Sequence, residues 1–148
     1  MVRSTAPSLA AEVAFRRYRE IPVLRNEVFG WCWVLAGLLA GLALGMRFHL
    51  EDWLGGYGSH RRRLLRLGHI SFLGLGLLNI AFALCGTQLR LPPARLAVAS
   101  WAFIAGAVTM PACCALMAWR RDLHLAFAVP VTSLLLGAGL VVLAYLRP

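Results

Sequence analysis

Four apolar runs set the limits on what this chain can fold into. They cover residues 29–46, 67–86, 96–119 and 123–146, each close to the roughly 20 residues that cross a bilayer as a helix. In lipid, a backbone must satisfy its hydrogen bonds internally, which leaves helices or closed barrels. No stretch shows the period-two alternation of a membrane barrel, so helices are predicted. Composition agrees. AVILMFWYC residues make up 60% of the 148 and charged residues 14%, against roughly 45–50% apolar and 25% charged in soluble domains. With a mean hydropathy of +0.72, this excludes a disordered chain, a coiled coil and an ordinary soluble enzyme domain. The expected fold is all-α: an integral membrane four-helix up-down bundle with a short N-terminal interfacial segment.

The connections refine that expectation. Residues 1–28 form a polar tail in which residues 9–19 (LAAEVAFRRYR) predict a short surface helix ended by Pro22. The tail does not read as a signal peptide, because no small-x-small cleavage site follows it. Residues 29–148 carry the four spans. Residues 47–66 make a longer loop with a Gly-rich, irregular centre, and residues 87–95 a short turn with Pro92-Pro93. The Arg120-Arg121-Asp122 turn is so tight that helices three and four must be antiparallel. Trp31, Trp33, Trp53, Trp101 and Trp119 fall at or near span ends, as an aromatic belt requires.

Charge points to a membrane partner and not to nucleic acid. The net charge is +9, and all fifteen basic residues are Arg. They flank apolar spans, where anionic headgroups are the natural counter-charge, and no nucleic-acid-binding motif accompanies them. Seven Arg lie near span ends on each side: 47, 61, 62, 63, 66, 120 and 121 against 16, 17, 19, 25, 90, 95 and 147. The positive-inside rule therefore chooses no orientation. The expected location is a bacterial inner membrane, with both termini on one side.

His69 and His124 are the sharpest chemical candidates. Each follows an Arg cluster and enters a predicted span within its first turn, on the same side. Two imidazoles at matched depth on diagonal helices would ligate one haem b iron. Arg62, Arg63, Arg66, Arg120 and Arg121 would then meet the propionates, and Gly76 would provide flat helix surface. Asn79 lies on the same stripe as His69, with its amide offered to a quinone oxygen or to another helix. The plainer reading is that each His is solvated at the interface and the Arg anchor helix ends.

Other features carry less. Met110, Cys113, Cys114 and Met117 recur at helical spacing and, with imidazole, would suit copper(I); otherwise they are apolar filler beside Pro111. None of the four Cys has zinc or disulfide-framework spacing. Gly37, Gly41 and Gly45 line one face and serve either packing inside the bundle or a homo-oligomer seam. Pro111 and Pro130 predict interruptions of helices three and four.

No Walker A, GxSxG or HExxH motif occurs. None of the six acids falls in a predicted span, which disfavours a proton-coupled transporter. Three functions remain: a haem b electron-transfer module working with a quinone, a non-catalytic accessory or assembly subunit of a respiratory-type complex, and a copper-binding membrane protein. Catalysis by the chain itself is left open.

Overall fold

The computed structural model describes residues 9–146, with side chains described at Leu9 and from Glu20 onward. Residues 1–8 of the polar tail, and Arg147, lie outside the described residues. The chain forms α1 (Leu9–Gly45), α2 (His60–Gly86), α3 (Pro93–Trp119), a 3-10 segment (Arg121–Phe127) and α4 (Ala128–Leu146). The described regular structure is all helical. Four stretches are long and apolar enough to cross a membrane: Glu20–Gly45, His60–Gly86, Pro93–Trp119 and Arg121–Leu146.

Three helix boundaries differ from the sequence expectation, each for a local reason. First, α1 runs unbroken through Pro22, where the sequence predicts a stop. A proline inside a helix removes one N–H bond, a loss that packing against neighbouring helices can offset. Here Pro22 is buried, with Ser100 Oγ of α3 3.5 Å from its carbonyl. Trp31, Trp33 and Glu27 consequently fall inside a candidate span, not at its edge, and Glu27 is exposed. Second, α2 begins at His60, ahead of the apolar run. The backbone turns sharply through Leu54, Gly55 and Gly56, all at positive φ, and Ser59 Oγ then caps the helix by accepting from Arg62 N at 3.2 Å. The Arg-rich stretch contains good helix formers and no breaker. Third, Pro130 does not kink a helix; it sits in the first turn of α4, where its missing N–H costs nothing. The residues before it wind as a 3-10 segment. Across Pro111, α3 is continuous, with Thr109 Oγ1 donating to the Ala105 carbonyl at 2.6 Å.

Glycine lets α1 and α2 approach in an antiparallel register. A Cβ on Gly30 would lie 2.7 Å from the Gly76 carbonyl oxygen, and one on Gly76 would lie 2.9 Å from Val34 Cγ2. Gly37 meets Phe72 and Leu73, and Gly41 meets the His69 ring. Trp33 stacks with Phe29 at 5.1 Å and meets Phe72 at 4.8 Å between ring centroids.

A buried polar junction ties α1, α2 and α3 together. Asn26, Asn79 and Ser100 are each 0% exposed. Asn26 Nδ2 donates to Asn79 Oδ1 at 2.7 Å and to the Ser100 carbonyl at 3.3 Å. Asn79 Nδ2 donates to the carbonyls of Leu75 at 2.8 Å and Phe103 at 3.4 Å. Ser100 Oγ donates to Asn26 Oδ1 and accepts from Arg25 at 2.6 Å. The Arg25 guanidinium also lies 4.0 Å over the Trp101 ring. Within this junction the side-chain polar groups of Asn26, Asn79 and Ser100 all find partners, and Arg25 Nε is left without one among the described residues.

The bundle is not closed. Among the described residues, α4 packs along α3 and makes no backbone approach to α1 or α2. Its buried residues, Pro130, Gly137 and Ala144, recur every seventh position as one narrow seam, with Ala144 also joining the cluster of Phe82, Leu89 and Leu91. Gly137 lies under the Phe103 ring and Leu134 against Gly106. Helices two and four are therefore not the diagonal partners across a common interior that the up-down bundle implied.

Two substitutions test this packing. Gly30→Ala, facing backbone, should destabilise the protein by about 1–3 kcal/mol, whereas Gly74→Ala, with open space around it, should stabilise it by up to about 1 kcal/mol. Equal midpoints in detergent unfolding would refute the close approach. Asn79→Leu should cost about 1–2 kcal/mol through the stranded junction, and Thr109→Val, losing one local bond, clearly less in the same assay.

Candidate functional site

The junction lies toward the end of the helices that carries the α2–α3 turn. All α1–α3 hydrogen bonds and ring contacts among the described residues are there. At the other end α1, α2 and α3 line an open cavity of about 260 Å³. Ala40, Ala43 and Leu44 of α1 line it, with Leu64, Leu65, Gly68, His69 and Phe72 of α2 and Pro111 and Ala115 of α3. Gly68 lets α2 approach α3 closely beside it: a Cβ there would lie 3.3 Å from Cys114 Cβ.

His69 is the one polar side chain in this wall. Its ring edge is held against α1: a Cβ on Gly41 would sit 2.6 Å from His69 Cε1. Its Nδ1 is buried and has no hydrogen-bond partner among the described residues. A neutral imidazole has one donor and one acceptor nitrogen, and an unmade bond in apolar surroundings costs about 1–3 kcal/mol. The arrangement is an apolar pocket with a single imidazole in its wall.

The structure does not bring His69 and His124 together. Because α2 starts at His60, His69 sits nine residues in, about 13 Å along the axis. His124 lies in the exposed 3-10 segment, which packs on α3 and α4 and not on α2. The depth match expected from sequence rested on a later start for α2 and an α-helical start for the fourth span.

The expected propionate cations are differently employed. Arg62 is 3% exposed. It donates to the carbonyls of Phe48 at 3.1 Å and Glu51 at 3.3 Å and lies over the rings of Phe48, Trp53 and Tyr57 at 5.1, 5.7 and 5.5 Å. It organises the loop between α1 and α2 from within. Arg66 donates to the Tyr57 carbonyl at 3.3 Å and stacks on its ring at 4.3 Å. Arg63, Arg120 and Arg121 are exposed. Gly76 is covered by α1, and the Asn79 amide is spent on the junction, so its interhelical alternative is the one observed.

The soft-ligand set also diverges. Cys113 Sγ donates to the Ala126 carbonyl at 3.3 Å. Cys114 faces Gly68 on α2 instead. The Met117 carbonyl, at the uncapped end of α3, accepts from His60 Nε2 at 3.2 Å. No group of three or more His, Cys, Asp or Glu side chains converges among the described residues. Of the proposed oligomer seam, Gly37 and Gly41 face α2 of the same chain and Gly45 faces open space.

Several residues with structural roles escape the sequence reading. Asn26 and Arg25 lie just ahead of the first apolar run, so a span boundary at residue 29 hides them. Ser100 is a lone hydroxyl in an apolar run, and His60 reads as loop. The only usable signal is that Asn26 and Asn79 are both amides beside or inside spans, which pair readily across helices.

Comparison with known protein families, with curated proteins and with solved structures finds no match. The functional reading therefore rests on the geometry above.

The Arg62 cage makes a clear prediction. Arg62→Ala removes two bonds from a charged donor and three ring contacts, and should cost on the order of 2 kcal/mol and speed proteolytic cleavage between α1 and α2. Arg63→Ala should match the parent in both measurements.

Proposed function

We propose that this chain is a multi-pass integral membrane protein that binds a lipid-soluble, oxygen-bearing ligand of the quinone class in the His69 cavity. The observation that carries the reading is the single imidazole, His69, in the wall of an otherwise apolar cavity, its Nδ1 without a partner among the described residues. A quinone or quinol ring suits both halves of that description. Its faces are apolar, its oxygens meet an imidazole as acceptor or donor, and its tail leaves into lipid. A volume of about 260 Å³ lies just below the range of about 300–1,000 Å³ usual for small-molecule sites, which suits a single ring and not a porphyrin. The energy-transducing membrane of a bacterium is the natural setting, because such ligands reside there. An accessory role in a respiratory-type complex is compatible with this site. The haem reading needs His124 beside His69, and the 3-10 segment that carries His124 packs on α3 and α4. The copper reading needs Met110, Met117 and Cys113 or Cys114 to meet an imidazole, and Cys113 is engaged with the Ala126 carbonyl.

The test is titration of the purified protein in nanodiscs with a short-chain ubiquinone, read by quenching of tryptophan fluorescence. Saturable quenching is expected, with at least tenfold weaker binding in His69→Leu, equivalent to about 1.4 kcal/mol. Equal quenching in both proteins overturns the reading. Reduced-minus-oxidised b-type haem bands that vanish in both His69→Leu and His124→Leu would restore the bis-histidine alternative.

A further inference from the structure

The turn between α2 and α3 carries a second site, chemically opposite to the first. Leu89 and Leu91 are 2% and 6% exposed and belong to a core cluster with Phe82, Leu96 and Phe103. In an extended segment alternate side chains point to opposite sides, so burying both leucines turns Arg90 outward. Pro92 and Pro93 then set the backbone rigidly into α3, whose third residue is Arg95. Arg90 and Arg95 thus line one pocket of about 240 Å³, whose apolar wall is Leu140, Leu143 and Ala144 of α4. Both Arg are exposed, and neither forms an ion pair among the described residues. The start of α3 has no side-chain cap, leaving helix N–H groups and the positive end of the helix dipole beside them.

We infer that this pocket binds the phosphate of an anionic phospholipid, with its acyl chain laid on Leu140 and Leu143. Two unpaired guanidiniums and an uncapped helix start provide the charge complement for a phosphate. The leucine wall on the neighbouring helix favours a lipid over a free anion, since inorganic phosphate gains nothing from it. A basic pocket between helix ends at a membrane interface is the arrangement that holds anionic headgroups. The inference is independent of the His69 cavity, which lies at the other end of the helices.

The experiment is native mass spectrometry of the full chain, released from detergent with phosphatidylglycerol, with phosphatidylcholine, or with inorganic phosphate alone. One to two retained phosphatidylglycerol molecules are expected, with phosphatidylcholine retained at least fivefold less. Arg90→Gln/Arg95→Gln should reduce phosphatidylglycerol retention at least fivefold, and Arg90→Lys/Arg95→Lys should recover part of it. The charge-matched Arg47→Gln/Arg61→Gln protein should retain lipid as the parent does. Equal losses in both Gln double variants would overturn the site in favour of general charge attraction. Displacement of the lipid by millimolar inorganic phosphate would overturn the lipid as its occupant. If the Arg90→Gln/Arg95→Gln protein proves unstable, the single variants decide: each should lose at least twofold, and no loss in either overturns the inference.

Discussion

Hydrogen bonding among Asn26, Asn79 and Ser100 is the constraint on which the rest of this structure depends. In water such amides would find partners anywhere. Between apolar helices they have only one another, and a one-residue slip of any helix would strand them in surroundings that charge heavily for an unmade bond. The junction therefore sets the axial register of α1, α2 and α3 together. Dispersion packing among Leu, Val and Ala is far more tolerant of sliding. The glycine stripe on α1 then determines how close that register brings α1 to α2.

Both candidate sites follow from where the junction sits. It draws α1 and α3 together at one end of the helices, so the cavity opens at the other, where only α2 bridges them. Within that cavity, Gly41 positions His69 by leaving room for its ring. At the junction end, the Leu89–Leu91 pair and the double proline hold the turn rigidly enough to present two Arg at one pocket. α4 takes little part in the first site because its backbone runs along α3, and it reaches α2 and the turn near its own C-terminal end, where Ala144 joins the cluster of Phe82, Leu89 and Leu91. The same packing along α3 keeps His124 away from His69.

Individual residues show what was legible in advance. The Gly37 and Gly41 spacing announced a close helix approach, and the packing alternative is the one realised within this chain. Asn79 was placed on an inward stripe, and it points inward. Pro22 and Pro130 misled for opposite reasons. One is buried inside a continuous helix that packs against α3, and the other begins a helix instead of bending one. The sequence groups Arg62 with its neighbours as propionate cations or helix-end anchors, because nothing local distinguishes it from Arg61 or Arg63. Only the fold of the preceding loop buries it among three aromatic rings.

The sequence by itself determined the number of apolar helices, their antiparallel succession and the all-helical class. Those follow from run length, turn length and the requirement that a backbone in apolar surroundings satisfy itself. Tertiary structure alone decided which polar groups meet. A side chain's partner depends on helix register and on which neighbour each face selects, and both are set by contacts between residues distant in sequence. Asn26 with Asn79, His60 with Met117, and His69 without His124 are outcomes of that kind. Periodicity within one helix says which way a residue points, but not what stands opposite it.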